Sequence, residues 1–177
     1  MPSKKRSDTS LSKKPRKPRF FIDRNLGAFC LAEQLRSAGF DVRVHDDFYQ
    51  QTERDPLIFY ECGKKGWVVI TSDTGFMKAF PHMAAIALGK TTVIAFTNNN
   101  FKSQIRGAAF ITAKKKIEAA LAKHDKRYFI GIVGTTGTFR VCSESPLPSR
   151  KTCDPRDWDS YEQVCRQAGV LAFAPKH

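Results

Sequence analysis

Three aspartates stand where apolar runs give way to turns or helix starts: Asp23, Asp55 and Asp73. Asp23 closes "RFFID" (19–23), Asp73 closes "GWVVITSD" (66–73), and Asp55 precedes Pro56. Asp46, Asp47 and Glu53 lie in the polar stretch before Asp55. Carboxylates drawn close together repel, and at least one is driven toward its neutral form unless a cation neutralises them. Hard oxygen ligands of this kind suit Mg²⁺ or Mn²⁺. Such an ion can polarise a phosphodiester and orient the attacking water. Each acid also has a plainer role. Asp55 before Pro56 reads as a helix N-cap, Asp73 as a turn residue, and Asp46 and Asp47 as solvated loop.

The elements that must position these acids follow from periodicity. "RFFID" is a short apolar strand, and Ala28, Leu31, Ala32, Leu35 and Ala38 then mark one face of a helix that Gly39 closes. "FDVRVH" (40–45) alternates as a strand with one less buried face. A helix runs from Asp55-Pro56 to Gly63 or Gly66, and the unbroken Val68-Val69-Ile70-Thr71 is a strand covered on both faces. "PHMAAIALGK" predicts a short helix and "TTVIAF" (91–96) a fourth strand. Residues 101–124 predict a longer helix with Ile105, Ala109, Ala113, Ile117 and Leu121 inside, and "YFIGIV" (128–133) a fifth strand. This alternation predicts an α/β fold with a mostly parallel sheet. Right-handed crossovers then bring the C-terminal ends of the strands, and with them the acids, to one edge.

Charge is uneven. Residues 1–20 hold eight Lys/Arg against Asp8, so +7 of the formal +13 sits there and +6 on the other 157 residues. Residues 1–18 predict a flexible basic arm, 19–141 the folded domain, and 142–177 an extension of loop with a short helix in "WDSYEQVCRQAGVLAF". The basic balance points to a polyanionic partner, nucleic acid first, with Lys13, Lys14, Arg16, Lys17 and Arg19 as contacts. Five cysteines without a C-x-x-C pair, and no secretory leader, favour reduced thiols in a cytoplasmic setting. No run approaches the ~18 apolar residues of a membrane span, so the chain reads as soluble. The four histidines show no zinc spacing and read as surface or loop residues.

The ordered set "FFIDRNL", "AGFDV" (38–42), Asp55 with Ile58, and Thr71, Asp73 and Phe76 resembles the PIN-domain superfamily, in particular its PIN-like branch related to VapC-type toxins. The resemblance covers about residues 19–134. It implies a three-layer α/β/α sandwich and a Mg²⁺- or Mn²⁺-dependent ribonuclease, in which Asp23, Asp55 and Asp73 bind metal and catalyse. It also implies that Asn25, Arg24, Ser72 and Glu53 orient ligands or substrate. RNA as substrate, an antitoxin protein and a homodimer are implied partners. One departure is Arg24, where the family has a further acid; it removes a carboxylate and adds a cation that could hold a scissile phosphate.

Other readings compete. A non-catalytic RNA-binding or antitoxin-partnered module could use the same fold. A phosphoacceptor receiver domain also gathers acids at this edge, but it wants two adjacent acids after its first strand and a Lys after its fifth. Here those places hold Asp23-Arg24 and "GIVGTTG". "ALGKTT" lacks the first glycine of a P-loop, having Ala84 there, and leads into a strand instead of a helix.

Overall fold

The computed structural model describes residues 17–26, 28–53, 55–97, 102–125 and 127–146. Strand β1 (Arg19–Ile22) is followed by helix α1 (Ala28–Ser37), β2 (Asp41–Val44), α2 (Asp55–Lys64) and β3 (Trp67–Thr71). Then come α3 (Phe80–Gly89), β4 (Val93–Phe96), α4 (Ser103–Lys123), β5 (Phe129–Val133) and β6 (Phe139–Glu144). One six-stranded sheet has the order β2-β1-β3-β4-β5-β6, parallel except for the β5/β6 pair. The expected α/β fold, with a mostly parallel sheet between helices, is the one found.

Alternation along the strands builds two cores. Phe20, Ile22, Val68, Ile70, Ile94 and Phe96 face α1 and α4, packing with Leu31, Leu35, Phe110 and Ile117. Phe21, Trp67, Val69, Val93 and Ala95 face α2 and α3, packing with Ile58, Phe59, Met83 and Ile86. Both faces are dry, which is why these strands read as unbroken apolar runs. Gly39, with φ +83°, turns the chain out of α1 as expected.

Helices α2 and α3 touch through glycines. A β-carbon on Gly63 would stand 2.3 Å from the Gly89 carbonyl oxygen, and one on Gly89 would stand 2.7 Å from that of Tyr60. Thr91 Oγ1 donates to the Phe59 carbonyl at 2.7 Å across the same contact. This close approach seats the C-terminal half of α2, the helix that Asp55 opens, against α3.

Three sequence expectations need correction. Ile105 is 46% exposed; the inner face of α4 is Ala109, Phe110, Ala113 and Ile117. A ladder of i+4 steps drifts about 40° per step around a helix with 3.6 residues per turn, so its two ends cannot share one face. The histidines are not all superficial, since His45 is fully buried and His124 nearly so. The strand β6 runs three residues past Val141, where the apolar pattern stops. The bulk of the basic arm, with Lys13, Lys14 and Arg16, and the expected helix near the C-terminus lie outside the described residues. Among the described residues, no helix is long and apolar enough to cross a membrane.

Candidate functional site

In the order 2-1-3-4-5 the strand sequence reverses between β1 and β3, and ligands of such sheets bind beyond the strand ends at that point. Asp23 follows β1 directly, its N–H still bonded to the Ile70 carbonyl at 3.0 Å. In strand parity it continues Phe21, so it belongs to the α2/α3 side of the sheet. Thr71, at the end of β3, has the same parity. Its hydroxyl donates to Asp23 Oδ2 at 2.8 Å and accepts from the Asp73 N–H at 3.1 Å.

Asp55 enters from α2. It shares a small recess with Asp23, walled by Phe21, Ile58, Phe59 and Val69. Asp23 is 8% exposed. Burial is the main reason its carboxyl is raised above the ordinary value of 3.8, and the negative charge of Asp55 pushes the same way. The Thr71 hydroxyl, then the backbone N–H and charge of Arg24, oppose the shift without cancelling it.

Arg24 stands in the turn after β1 and reaches across to Asp55, with Nη2 2.8 Å from Oδ1. Its Nη1 donates to the Gln51 carbonyl. The second oxygen of Asp55 lies 3.9 Å from His82 Nε2, and His82 Nδ1 is buried without a hydrogen-bond partner. Asp55 therefore does more than open a helix; both of its oxygens meet basic side chains.

Asp73 is placed differently. Its Oδ1 accepts the Gly75 N–H at 2.7 Å and closes its own turn, while only its backbone is tied to Asp23 through Thr71. The expected cage of three acids is not formed: among the described residues, no group of three or more His, Cys, Asp or Glu side chains is close enough to hold a metal ion. Parity ends with the strand, and two residues beyond β3 the turn, not the pleat, directs the carboxylate. Ser72 is buried and its hydroxyl lies 3.5 Å from the Asn25 carbonyl, while the Asn25 side chain is exposed. Glu53 is half-buried in the loop before α2. Asp47 is exposed, and Asp46 accepts from Gln51 Nε2 within its own loop. Arg19 pairs at the surface with Asp41 at 2.9 Å.

The donor set fits a divalent ion of one kind. Mg²⁺ commonly takes one or two carboxylates and completes its shell with water and substrate phosphate. Asp23 and Asp55 supply that number. Two participants escape sequence reading. Thr71 could have been found by parity with Asp23. His82 could have been found from topology, because the helix after β3 begins at the edge where β3 ends.

No curated protein and no solved structure matches the chain. Residues 18–98 match a family described as "PIN like domain". That segment spans β1 through β4 and contains Asp23, Asp55 and Asp73, and the match supports the PIN-domain superfamily for this part of the chain.

Proposed function

We propose that the chain is a metal-dependent endoribonuclease of PIN-like type, with Asp23 and Asp55 as its principal cation-binding groups. The observation that carries this reading is the pairing of a buried carboxylate with a second one at the switch point of the sheet, inside the segment that matches the PIN-like family. A Mg²⁺ or Mn²⁺ bound there would supply Lewis-acid polarisation of a phosphoryl oxygen. The protein's own part is to hold the oxygens still. Thr71 fixes Asp23 by a hydrogen bond, and close packing on α3 holds the helix that carries Asp55. Asp73 keeps the turn after β3 in shape by accepting the Gly75 N–H. The basic balance of the chain draws the RNA backbone toward the domain. Toxin-type action restrained by an antitoxin, and dimer formation, are extensions of the same family reading.

One observation favours a second reading, a non-catalytic RNA-binding module: the Arg24 guanidinium already neutralises Asp55. Cleavage decides between them. Purified protein should cut a single-stranded RNA in Mn²⁺ or Mg²⁺, and Asp23→Asn should slow it by at least ~100-fold. That is more than the ~10–100-fold cost of disturbing groups one step removed from a metal. Protein that retards RNA in a gel yet leaves it whole in either metal is the binding module.

A further inference from the structure

We infer that Arg24 is a movable countercharge that couples cation binding to phosphodiester binding: in the free protein it covers Asp55, and it passes to an RNA phosphate when substrate arrives. The inference rests on the nuclease reading of the same site.

The geometry gives Arg24 one role in the free protein and the means for another. Its Nη2 sits 2.8 Å from Asp55 Oδ1, on an oxygen that a cation would need. The His82 ring lies 3.9 Å from the other oxygen, so a divalent ion at either oxygen of Asp55 would meet a basic side chain. His82 is carried by a regular helix against Phe59, with ring centroids 5.8 Å apart, and is poorly placed to leave. Arg24 is the freer of the two. It stands in a three-residue turn, and both its side chain and that of Asp55 are about 30% exposed. Its remaining tether, the Gln51 carbonyl, is a neutral acceptor. A phosphate offers the guanidinium fork two charged oxygens, a stronger partner than a carbonyl plus one carboxylate oxygen.

Substrate therefore takes Arg24 from Asp55 and uncovers the oxygen for the cation. By linkage, the cation strengthens substrate binding by the same factor. The substitution of an acid by Arg24 is then not a loss of function at the site but a device that keeps it closed to metal until a phosphodiester is present.

The test measures Mn²⁺ binding from the electron paramagnetic resonance signal of free Mn²⁺, with and without a 2′-deoxy pentanucleotide verified as intact afterwards. Wild-type protein should bind Mn²⁺ at least about fivefold more tightly when the oligonucleotide is saturating, the lower end of ordinary coupling between sites. Arg24→Gln should bind Mn²⁺ more tightly than wild type without oligonucleotide, and its gain on adding oligonucleotide should fall below about twofold. Arg24→Lys retains the charge without the fork; it should still hold off Mn²⁺ but show weaker coupling, and it serves if the glutamine variant does not fold. Equal Mn²⁺ affinities in all three proteins, unaffected by oligonucleotide, overturn the inference and leave the nuclease reading standing. If none of them binds Mn²⁺, the inference and the nuclease reading fall together.

Discussion

The two edges of the sheet differ in a way that volume alone would misjudge. At the strand starts a groove of about 780 Å³ is lined by Lys17, Trp67, Lys90, His124, Arg127 and Tyr128, with Glu118 and Asp125 among them. At the strand ends, Asp23 and Asp55 share a recess of only about 10 Å³. The larger space would be the default binding site by size. Its charges, however, have an inexpensive explanation. Lys90 directly follows α3 and complements that helix's C-terminus, while Glu118 and Asp125 offset the other cations. The small recess has no such explanation, because an acid buried beside another acid costs stability wherever it stands. An arrangement that is costly to the fold is better evidence of function than a roomy one.

Substitutions at the two edges should therefore separate by orders of magnitude. Asp55→Asn should reduce Mn²⁺-supported RNA cleavage by at least ~100-fold, beyond the cost of disturbing a neighbouring group. Lys90→Ala combined with Arg127→Ala should leave the rate at saturating RNA within about twofold of wild type, since side chains that do not contact the reacting atoms leave the transition state unchanged. If the double variant loses as much as Asp55→Asn, the groove belongs to the site and the contrast between the edges is broken.

The same contrast should appear in stability. Because burial and Asp55 raise Asp23 above its ordinary 3.8, the folded state binds more protons than the unfolded state between that value and the raised one. Stability then falls as pH rises through this window, and the penalty is complete above it. Asp23→Asn removes the penalty, and its side-chain oxygen can still accept from Thr71. The variant should melt above wild type at neutral pH, and the gap should close as pH approaches 3.8. Melting temperatures taken from pH 4 to pH 8 decide it. A gap that does not vary with pH would mean that the carboxylate is not strained in the fold, and the acid edge would lose its special standing.

How much of this was legible depends on what the sequence signal reports. Apolar runs report burial on both faces, so β1, β3, β4 and β5 were readable and with them the edge where Asp23 stands. Strand β6 was not. Its residues alternate between half-buried and exposed along an outer strand, and it carries little apolar signal. Parity ties Thr71 to Asp23, but it says nothing of Asp73, whose carboxylate is turned by the Gly75 N–H. The Arg24–Asp55 contact spans 31 positions in the chain and depends on the path of residues 45–53 before α2. The family resemblance made Arg24 a missing acid and a candidate phosphate contact; geometry makes it a countercharge on Asp55.

The smallest effect on chemistry should come from the most basic stretch of all. Residues 1–16 carry Lys4, Lys5, Arg6, Lys13, Lys14 and Arg16, and the chain enters the described domain at Lys17, which lines the groove at the strand starts. Removing these sixteen residues takes away six cations that precede Lys17 in the chain. Each cation that neutralises a phosphate of single-stranded RNA contributes about 0.7 to the slope of log affinity against log salt. The truncated protein should therefore show a slope shallower by at most about 4. Its cleavage rate at saturating RNA and low salt should equal that of the full chain, because the released counterions drive encounter and not the chemical step. A fall in that rate would carry the arm across to the acid edge and join the two regions that the fold holds apart.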